Sequence, residues 1–212
     1  MFERVTWKEC AIARRRATKI IGDVQELLRD KYRFAPRLVG SGKWGTMIKD
    51  EKGEYDLDYQ LILTHNSGAS LNNPTQIKND FVRAFQMMAT RFERIENSTT
   101  AITLINKDNK PFHIDFVIIK QDENGFYIIR RNNQLHSSVN EFTWNQLPKY
   151  KDAYTIFKSL KAKEKQYLIE EIIIPMKQKE KAKKENDPTR VSSCALFIRE
   201  VNNYYANRRR NH

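Results

Sequence analysis

Apolar residues recur every three to four positions at the start of the chain. Trp7, Cys10, Ala17, Ile20, Ile21, Val24, Leu27 and Leu28 mark one face, with Lys8, Arg15, Lys19 and Glu26 between them. That spacing predicts an amphipathic helix over about residues 4–32, and Pro36 stops any continuation. Arg37-Leu38-Val39 reads as a short strand leading into Gly40. A polar, glycine-punctuated stretch follows to Tyr55. Asp56 to Leu63 then alternates and turns apolar, as a strand does. Pro74 sits near a helix start, and Ile77, Phe81, Ala84, Phe85, Met88, Phe92 and Ile95 share a helical face. Thr99–Asn106 and Phe112–Ile119 read as a hairpin turning at residues 107–110. Gly125 opens a further strand, Phe126–Arg130.

After about residue 140 the period becomes helical. Asp152 caps a helix running toward Ile174, where Pro175 breaks or kinks it. Lys177–Lys184 is a charge run of five Lys and one Glu. Asp187-Pro188 opens a last helix, with Val191, Cys194, Ala195, Ile198, Val201 and Tyr205 on one face. The expected class is α+β: a mixed β-sheet with an N-terminal helix and a helical C-terminal part. Residues 1–139 form the core in this reading, and residues 140–212 a helical region packed on it.

Composition narrows the field. The 212 residues are 40% hydrophobic and 11% aromatic, enough for a real core, and seven Gly and six Pro exclude low-complexity classes. Two cysteines make no disulfide framework and no metal-ligand spacing; both fall on apolar stripes, as buried free thiols do. The charged N-terminus lacks a signal-peptide core, and no run approaches the roughly 18 apolar residues of a membrane span. A cytoplasmic protein with no membrane partner is expected. Asn97-Ser98-Thr99 fits a glycosylation acceptor, which has no use without secretion. Net charge is +12, and residues 151–212 hold 15 Lys+Arg against 8 Asp+Glu. Such a surplus suits a polyanion, whether nucleotide phosphates, RNA or DNA.

The candidate chemistry lies in the first 120 residues. Asp56 and Asp58 are two apart in a strand, so both carboxylates face one way and Leu57 the other. Adjacent carboxylates repel unless a cation lies between them, and oxygen ligands favour Mg²⁺ or Mn²⁺ over zinc. Asp115 is a third carboxylate, inside the apolar strand Ile114-Asp-Phe-Val-Ile-Ile, where an ionised group is costly unless paired or metal-bound. If the two strands are neighbours, three carboxylates converge as the protein half of a two-metal phosphoryl-transfer site.

Just upstream stands Gly40-Ser41-Gly42-Lys43-Trp44-Gly45-Thr46. Its glycines let backbone N–H groups approach phosphate, while Ser41 and Thr46 offer hydroxyls and Lys43 a point charge. The stretch also matches GxGxxG, but a dinucleotide site needs a helix and crossover to follow. Residues 46–55 have no apolar stripe and are too short for one. The P-loop pattern fails because Trp44 stands where Ser or Thr should follow the lysine.

Gly40-Ser41-x-x-x-Gly45-Thr46-x-Ile48, then Tyr55-Asp56-Leu57-Asp58, then His113-Ile114-Asp115-Phe116 resembles the polymerase-beta-like nucleotidyltransferase superfamily. The branch it is most similar to holds oligoadenylate synthases and bacterial cyclic-GMP-AMP-synthase-like (CD-NTase) enzymes. The resemblance covers residues 38–119 and implies a nucleotidyltransferase fold and an Mg²⁺-dependent enzyme using nucleoside triphosphates such as ATP. It implies that Asp56 and Asp58 hold Mg²⁺ (Mn²⁺ as substitute) and that Asp115 completes the site and assists the acceptor hydroxyl. Gly40 and Ser41 would hold the donor triphosphate, with Lys43 and Thr46 as further contacts. Fourteen residues separate Ser41 from Asp56, slightly more than the superfamily's usual gap. The chain is shorter than signal-nucleotide synthases of that branch, implying a smaller C-terminal helical part.

Several readings stay open. The product is a cyclic or linear oligonucleotide signal, or the acceptor is RNA, tRNA or protein, or the fold is a non-catalytic RNA-binding module. His113 contacts substrate or is a half-buried structural histidine. His65, His136 and His212 form no ligand pattern. Trp44 stacks on a base or packs over its loop, and Trp144 and Tyr150 meet a nucleobase or the core. Arg14–Arg16, Lys177–Lys184 and Arg208–Arg210 are solvated faces or a track for RNA or an oligonucleotide.

Overall fold

The structure is a computed structural model and describes residues 2–64, 71–91, 93–107, 111–132, 141–148, 151–184 and 186–210, without the side chains of residues 151, 209 and 210. His65, His136, His212, Tyr150, Phe92 and residues 108–110 of the expected hairpin turn lie outside the described residues, as do two members of the Arg208–Arg210 cluster as side chains.

Strand β1 (Glu3–Arg4) pairs with β3 (Ile48–Lys49), apart from the main sheet. The first helix, α1 (Ala11–Leu28), is shorter than its stripe. Glu9 accepts from the backbone N–H and hydroxyl of Thr6, so the chain ahead of α1 forms its own hydrogen-bonded turn. The apolar face, Ala13, Ala17, Ile20, Ile21, Val24 and Leu28, is buried. Strand β2 (Phe34–Val39) runs antiparallel to β4 (Asp56–Leu63). Pro36 lies within β2 because β2 is the edge strand, where a missing N–H leaves no ladder bond unmade.

Between them, α2 (Gly40–Trp44) is a five-residue helix closed by Gly45 in the left-handed region at φ 70°. The GxGxxG stretch thus opens a helix, but the chain returns antiparallel and makes no crossover. Strand β4 pairs in parallel with β7 (Phe112–Asp122), itself antiparallel to β6 (Ala101–Asn106) and β8 (Gly125–Arg131). The main sheet reads β2-β4-β7-β6 and then β5 (Glu93–Asn97), with β9 (Phe142–Gln146) joined through β8. Helices α1 and α3 (Pro74–Met88) cover one face, so Leu57, Leu61, Ile114, Phe116 and Ile118 pack against Ile20, Phe81 and Phe85 in the main core. Asn73 caps α3 by accepting from Gln76 N–H, with Pro74 at its first position.

Two segments depart from the periodicity. Ile95 belongs to β5 (Glu93–Asn97), not to α3. Arg16 donates to the Met88 carbonyl and, through a guanidinium fork, to Glu93, ending the helix and starting the strand. Residues 142–146 form a strand, so the helical part begins at Lys151.

That part is α4 (Lys151–Ser159), α5 (Ala162–Tyr167), a π-helical segment (Leu168–Ile173), α6 (Ile174–Ala182) and α7 (Ser193–Arg210). The expected single helix is cut at Lys161, whose backbone N–H donates to the Glu164 carboxylate three residues on. Pro175 does not break the chain's helical course. It removes a donor and would press its ring on the carbonyl four residues back; the wide π-turn before it takes up that misfit. The last helix starts at Ser193, because Asp187 is engaged by the N–H and hydroxyl of Thr189 in a turn. A second core, including Phe157, Leu168, Ile173, Leu196 and Phe197, sits among these helices. Among the described residues, no helix is long and apolar enough to cross a membrane.

Candidate active site

The alternation of β4 fixes the direction of its aspartates. Leu57 and Tyr59 enter the main core; Asp56 and Asp58 face the side the N-terminal helices leave open. Because β4 and β7 are parallel neighbours, Asp58 stands beside Asp115 and Asp56 beside His113. On the other flank Asp58 pairs with Val39, the residue before Gly40. The register therefore brings Asp56, Asp58, Asp115 and Gly40 to one end of the sheet.

Gly40 has φ 59°, and a Cβ there would stand 2.5 Å from Asp58 Oδ2. Only a residue without a side chain lets α2 approach the carboxylate so closely. Thr103 donates its hydroxyl to Asp115 Oδ1 at 2.5 Å, leaving Oδ2 for another partner. His113 Nδ1 lies 3.5 Å from Asp56 Oδ1, and Lys181 Nζ lies 4.0 Å from Asp56 Oδ2.

Gly40, Asp56, Asp58 and Asp115 line a cleft of about 310 Å³ with Ser41, Trp44 and Thr46 on one side and Tyr154, Lys177, Lys181 and Ser193 on the other. Lys177 is 4% exposed and donates to the Thr46 carbonyl at 2.6 Å. Burial, and next the Asp115 and Asp56 charges, push the Asp58 carboxyl up to about 6, against Lys177 and Lys181. Burial also raises Asp115, opposed by the Thr103 hydrogen bond. Burial and neighbouring Lys181 bring the Lys177 ammonium down to about 8.

Among the described residues, no three His, Cys, Asp or Glu side chains form a closed set around one point. The three carboxylates share the cleft but lean apart, as like charges do: Asp58 toward Gly40, Asp115 toward Thr103, Asp56 toward His113 and Lys181. All are oxygen donors, which suits a hard divalent cation.

Gly40, Ser41 and Thr46 therefore share the cleft with the aspartates, whereas Lys43 is not among its lining residues. The Lys43 ammonium lies 5.1 Å from the Trp44 ring centre. Trp44 itself packs between loop and helices, stacked on Tyr154 at 5.5 Å and on Phe197 at 5.9 Å. Trp144 packs against the main core and donates to the Leu71 carbonyl. Cys10 is buried; Cys194 is exposed in the first turn of α7, at the cleft.

No family model matches the chain, and no curated protein matches its sequence. Solved structures do match. Vibrio cholerae DncV cyclic AMP-GMP synthase with nonhydrolyzable GTP superposes with TM-score 0.60 at 16% identity, over 95% of this chain and 53% of that one. Its complex with the linear intermediate 5′ pppA(3′,5′)pG gives 0.56 at 16%, over 82% and 46%. Escherichia coli DncV bound to 3′-deoxy GTP gives 0.57 at 17%, over 95% and 54%.

The fold is that of DncV.

The chain spans about half the length of those proteins. In this fold the open end of the sheet carries the aspartates, and Tyr154, Lys177, Lys181 and Ser193 of the helical part wall the cleft. The sequence pattern missed Lys177 and Lys181. They lie in a charge run that looks like a solvated face, yet the four-residue spacing puts both on one side of α6. Ile174, apolar beside them and buried, was the available signal.

Proposed function

We propose that the chain is a cytoplasmic, divalent-metal-dependent nucleotidyltransferase that takes a nucleoside triphosphate and passes its nucleoside monophosphate to an acceptor hydroxyl. The product of this reading is a cyclic or linear oligonucleotide, or, where the acceptor hydroxyl ends an RNA, that strand lengthened by one nucleotide. One observation carries it: Asp56, Asp58 and Asp115 face, from adjacent parallel strands, a cleft walled by Gly40–Ser41 and by two lysines. The nucleotides in the matched DncV structures support the donor class.

Asp56, Asp58 and Asp115 would hold Mg²⁺ or Mn²⁺. Burial first, and then the neighbouring Asp115 and Asp56 charges, raise the Asp58 carboxyl, an environment that a divalent cation would relieve. When bound, such ions stabilise charge on the attacking and leaving oxygens. The remaining work falls to the chain. Gly40 and Ser41 offer backbone N–H groups and a hydroxyl to the triphosphate, and Thr46 supports that loop from its buried position. Lys177 and Lys181 supply positive charge opposite, where pyrophosphate charge develops. The acceptor oxygen attacks the α-phosphorus, the bond to the bridging α–β oxygen breaks, and pyrophosphate leaves. Asp115 Oδ2, free of Thr103, receives the hydroxyl proton.

Incubation with all four nucleoside triphosphates and Mg²⁺ or Mn²⁺ tests the proposal, reading pyrophosphate release and product mass. Wild type is expected to release pyrophosphate, and Asp56→Ala/Asp58→Ala to fold and stay silent. Turnover surviving that double change overturns the assignment.

A further inference from the structure

Beside the cleft, four cations from four elements come together without a counter-charge. Arg37 is on β2, Lys43 on α2, Lys158 on α4 and Lys165 on α5. Among the described residues, none of the four forms an ion pair with a carboxylate. What sets the four apart is that they adjoin one another, the Lys158 and Arg37 charges acting on Lys43 and Lys165 reaching the Lys158 backbone.

Contacts tie the four together. Trp44, next to Lys43, packs edge-on against Phe157, next to Lys158, with ring centres 5.4 Å apart. Lys165 Nζ donates to the Lys158 carbonyl at 2.7 Å. The Lys43 ammonium is pushed below its usual pKa, first by partial burial and then by the Lys158 and Arg37 charges. Arg37 pairs with Gln60, two residues beyond Asp58 on the same face of β4. At one strand repeat that is about 7 Å from the acid, close to one nucleotide step.

Arg37 is also held in place. Its Nε and Nη2 donate to Gln60 Oε1 at 3.1 and 2.6 Å, and its guanidinium carbon lies 5.4 Å from the Phe126 ring centre. A guanidinium fixed by a fork and an aromatic ring leaves Nη1 free for a phosphate at little entropic cost. The exposed Arg37 and half-buried Phe126 together offer a planar surface to a base.

We infer that Arg37, Lys43, Lys158 and Lys165 form a track for the phosphodiester backbone of a single-stranded polynucleotide, whose terminal hydroxyl enters the cleft as acceptor. Only the acceptor role rests on the proposed transfer reaction; the binding does not. A single strand is favoured because stacking on the Arg37–Phe126 surface needs an unpaired base.

The test is fluorescence anisotropy with a labelled RNA of about 12 nucleotides, the same sequence as DNA, and the RNA duplex, over about 50 to 200 mM salt. Four single-strand contacts predict a slope of log K against log salt of about −3. Lys43→Ala/Lys158→Ala/Lys165→Ala should lower the slope by about 2 and weaken binding about 100-fold near 0.1 M salt. Lys8→Ala/Arg15→Ala/Lys19→Ala removes equal charge from the other side of the sheet and should change neither. Lys158→Ala alone, losing about 5-fold, serves if the triple variant unfolds. RNA and DNA arms identify which strand is preferred, and either preference supports the track. Equal losses in both triple variants, tighter duplex binding, or no strand binding by wild type overturns it. Strand binding lost in the track variant with no transfer under any condition upholds the track and sinks the transfer reading. Transfer between nucleotides without strand binding does the reverse.

Discussion

Gly40 and Gly53 make a matched pair of perturbations. Both have positive φ, 59° and 81°. A Cβ at Gly53 meets nothing within 4 Å, whereas a Cβ at Gly40 meets Asp58 Oδ2 at 2.5 Å. Gly→Ala at either position places an L-residue in the left-handed region, at about 1–2 kcal/mol. That common cost sets the baseline in a urea denaturation series. Gly40→Ala has a second effect. Ordinary contacts begin at 3.4 Å, so the Asp58 carboxylate or α2 has to yield by about 1 Å. A misplacement of that size costs roughly 100-fold in rate, or about 2.7 kcal/mol of transition-state stabilisation. Pyrophosphate release at saturating nucleoside triphosphate and Mn²⁺ should therefore fall about 100-fold in Gly40→Ala and stay within about 2-fold of wild type in Gly53→Ala. Equal turnover in the two variants, at equal stability loss, would refute the claim that α2 is seated against Asp58.

Asp58 carries a pH signature in metal-free protein. Its folded pKa is about 6 against an ordinary 3.8, so the folded state binds the proton more tightly and stability falls as pH rises from about 3.8 to 6. In chelator, Asp58→Asn should stabilise the fold by ~3 kcal/mol near pH 8 and hardly at all near pH 4; a pH-independent gain contradicts this. Thr103→Val removes the hydroxyl held by Asp115 and should lower kcat about 10-fold with KM and folding nearly unchanged; wild-type kcat would remove Thr103 from the site. Trp44→Ala opens the packing against Tyr154, Phe157 and Phe197 and should cost about 3 kcal/mol in denaturation. A cost near zero would show that the loop and the helices do not depend on one another.

The site's acidic half was legible because strand alternation is a local rule. Period two in Asp56–Leu63 sends two carboxylates one way, and an aspartate inside Ile114–Ile119 needs a polar opening. What no local rule supplies is the pairing of strands separated by a helix and a hairpin. The expectation that β4 and β7 are neighbours was conditional, and the parallel register of Asp58 with Asp115 comes from the sheet. Ile95 misled for the same reason: its spacing continues the α3 stripe, while Arg16, far back in the chain, decides where that helix ends. Residues 142–146 are too short and mixed to announce a strand, and β8 makes them one. Lys177 was illegible because its burial depends on Thr46, 131 residues away. Trp44 offered stacking or packing equally until the aromatic rings of the C-terminal helices stood beside it.

The wide turn at Leu168–Ile173 makes chain length count for more than residue identity at that point. An α-helix advances about 100° per residue. Losing or gaining one apolar residue there would swing Lys177 and Lys181 about that far around the axis, away from Thr46 and Asp56, with charge and helicity preserved. Descendants of this sequence can thus exchange one apolar residue for another of like size on the buried face of the segment, while a single codon deletion leaves every recognisable motif in place and turns the cations away from the aspartates. Comparison of relatives by motif content alone would count such a chain as intact; its spacing from Pro175 back to Leu168 would show otherwise.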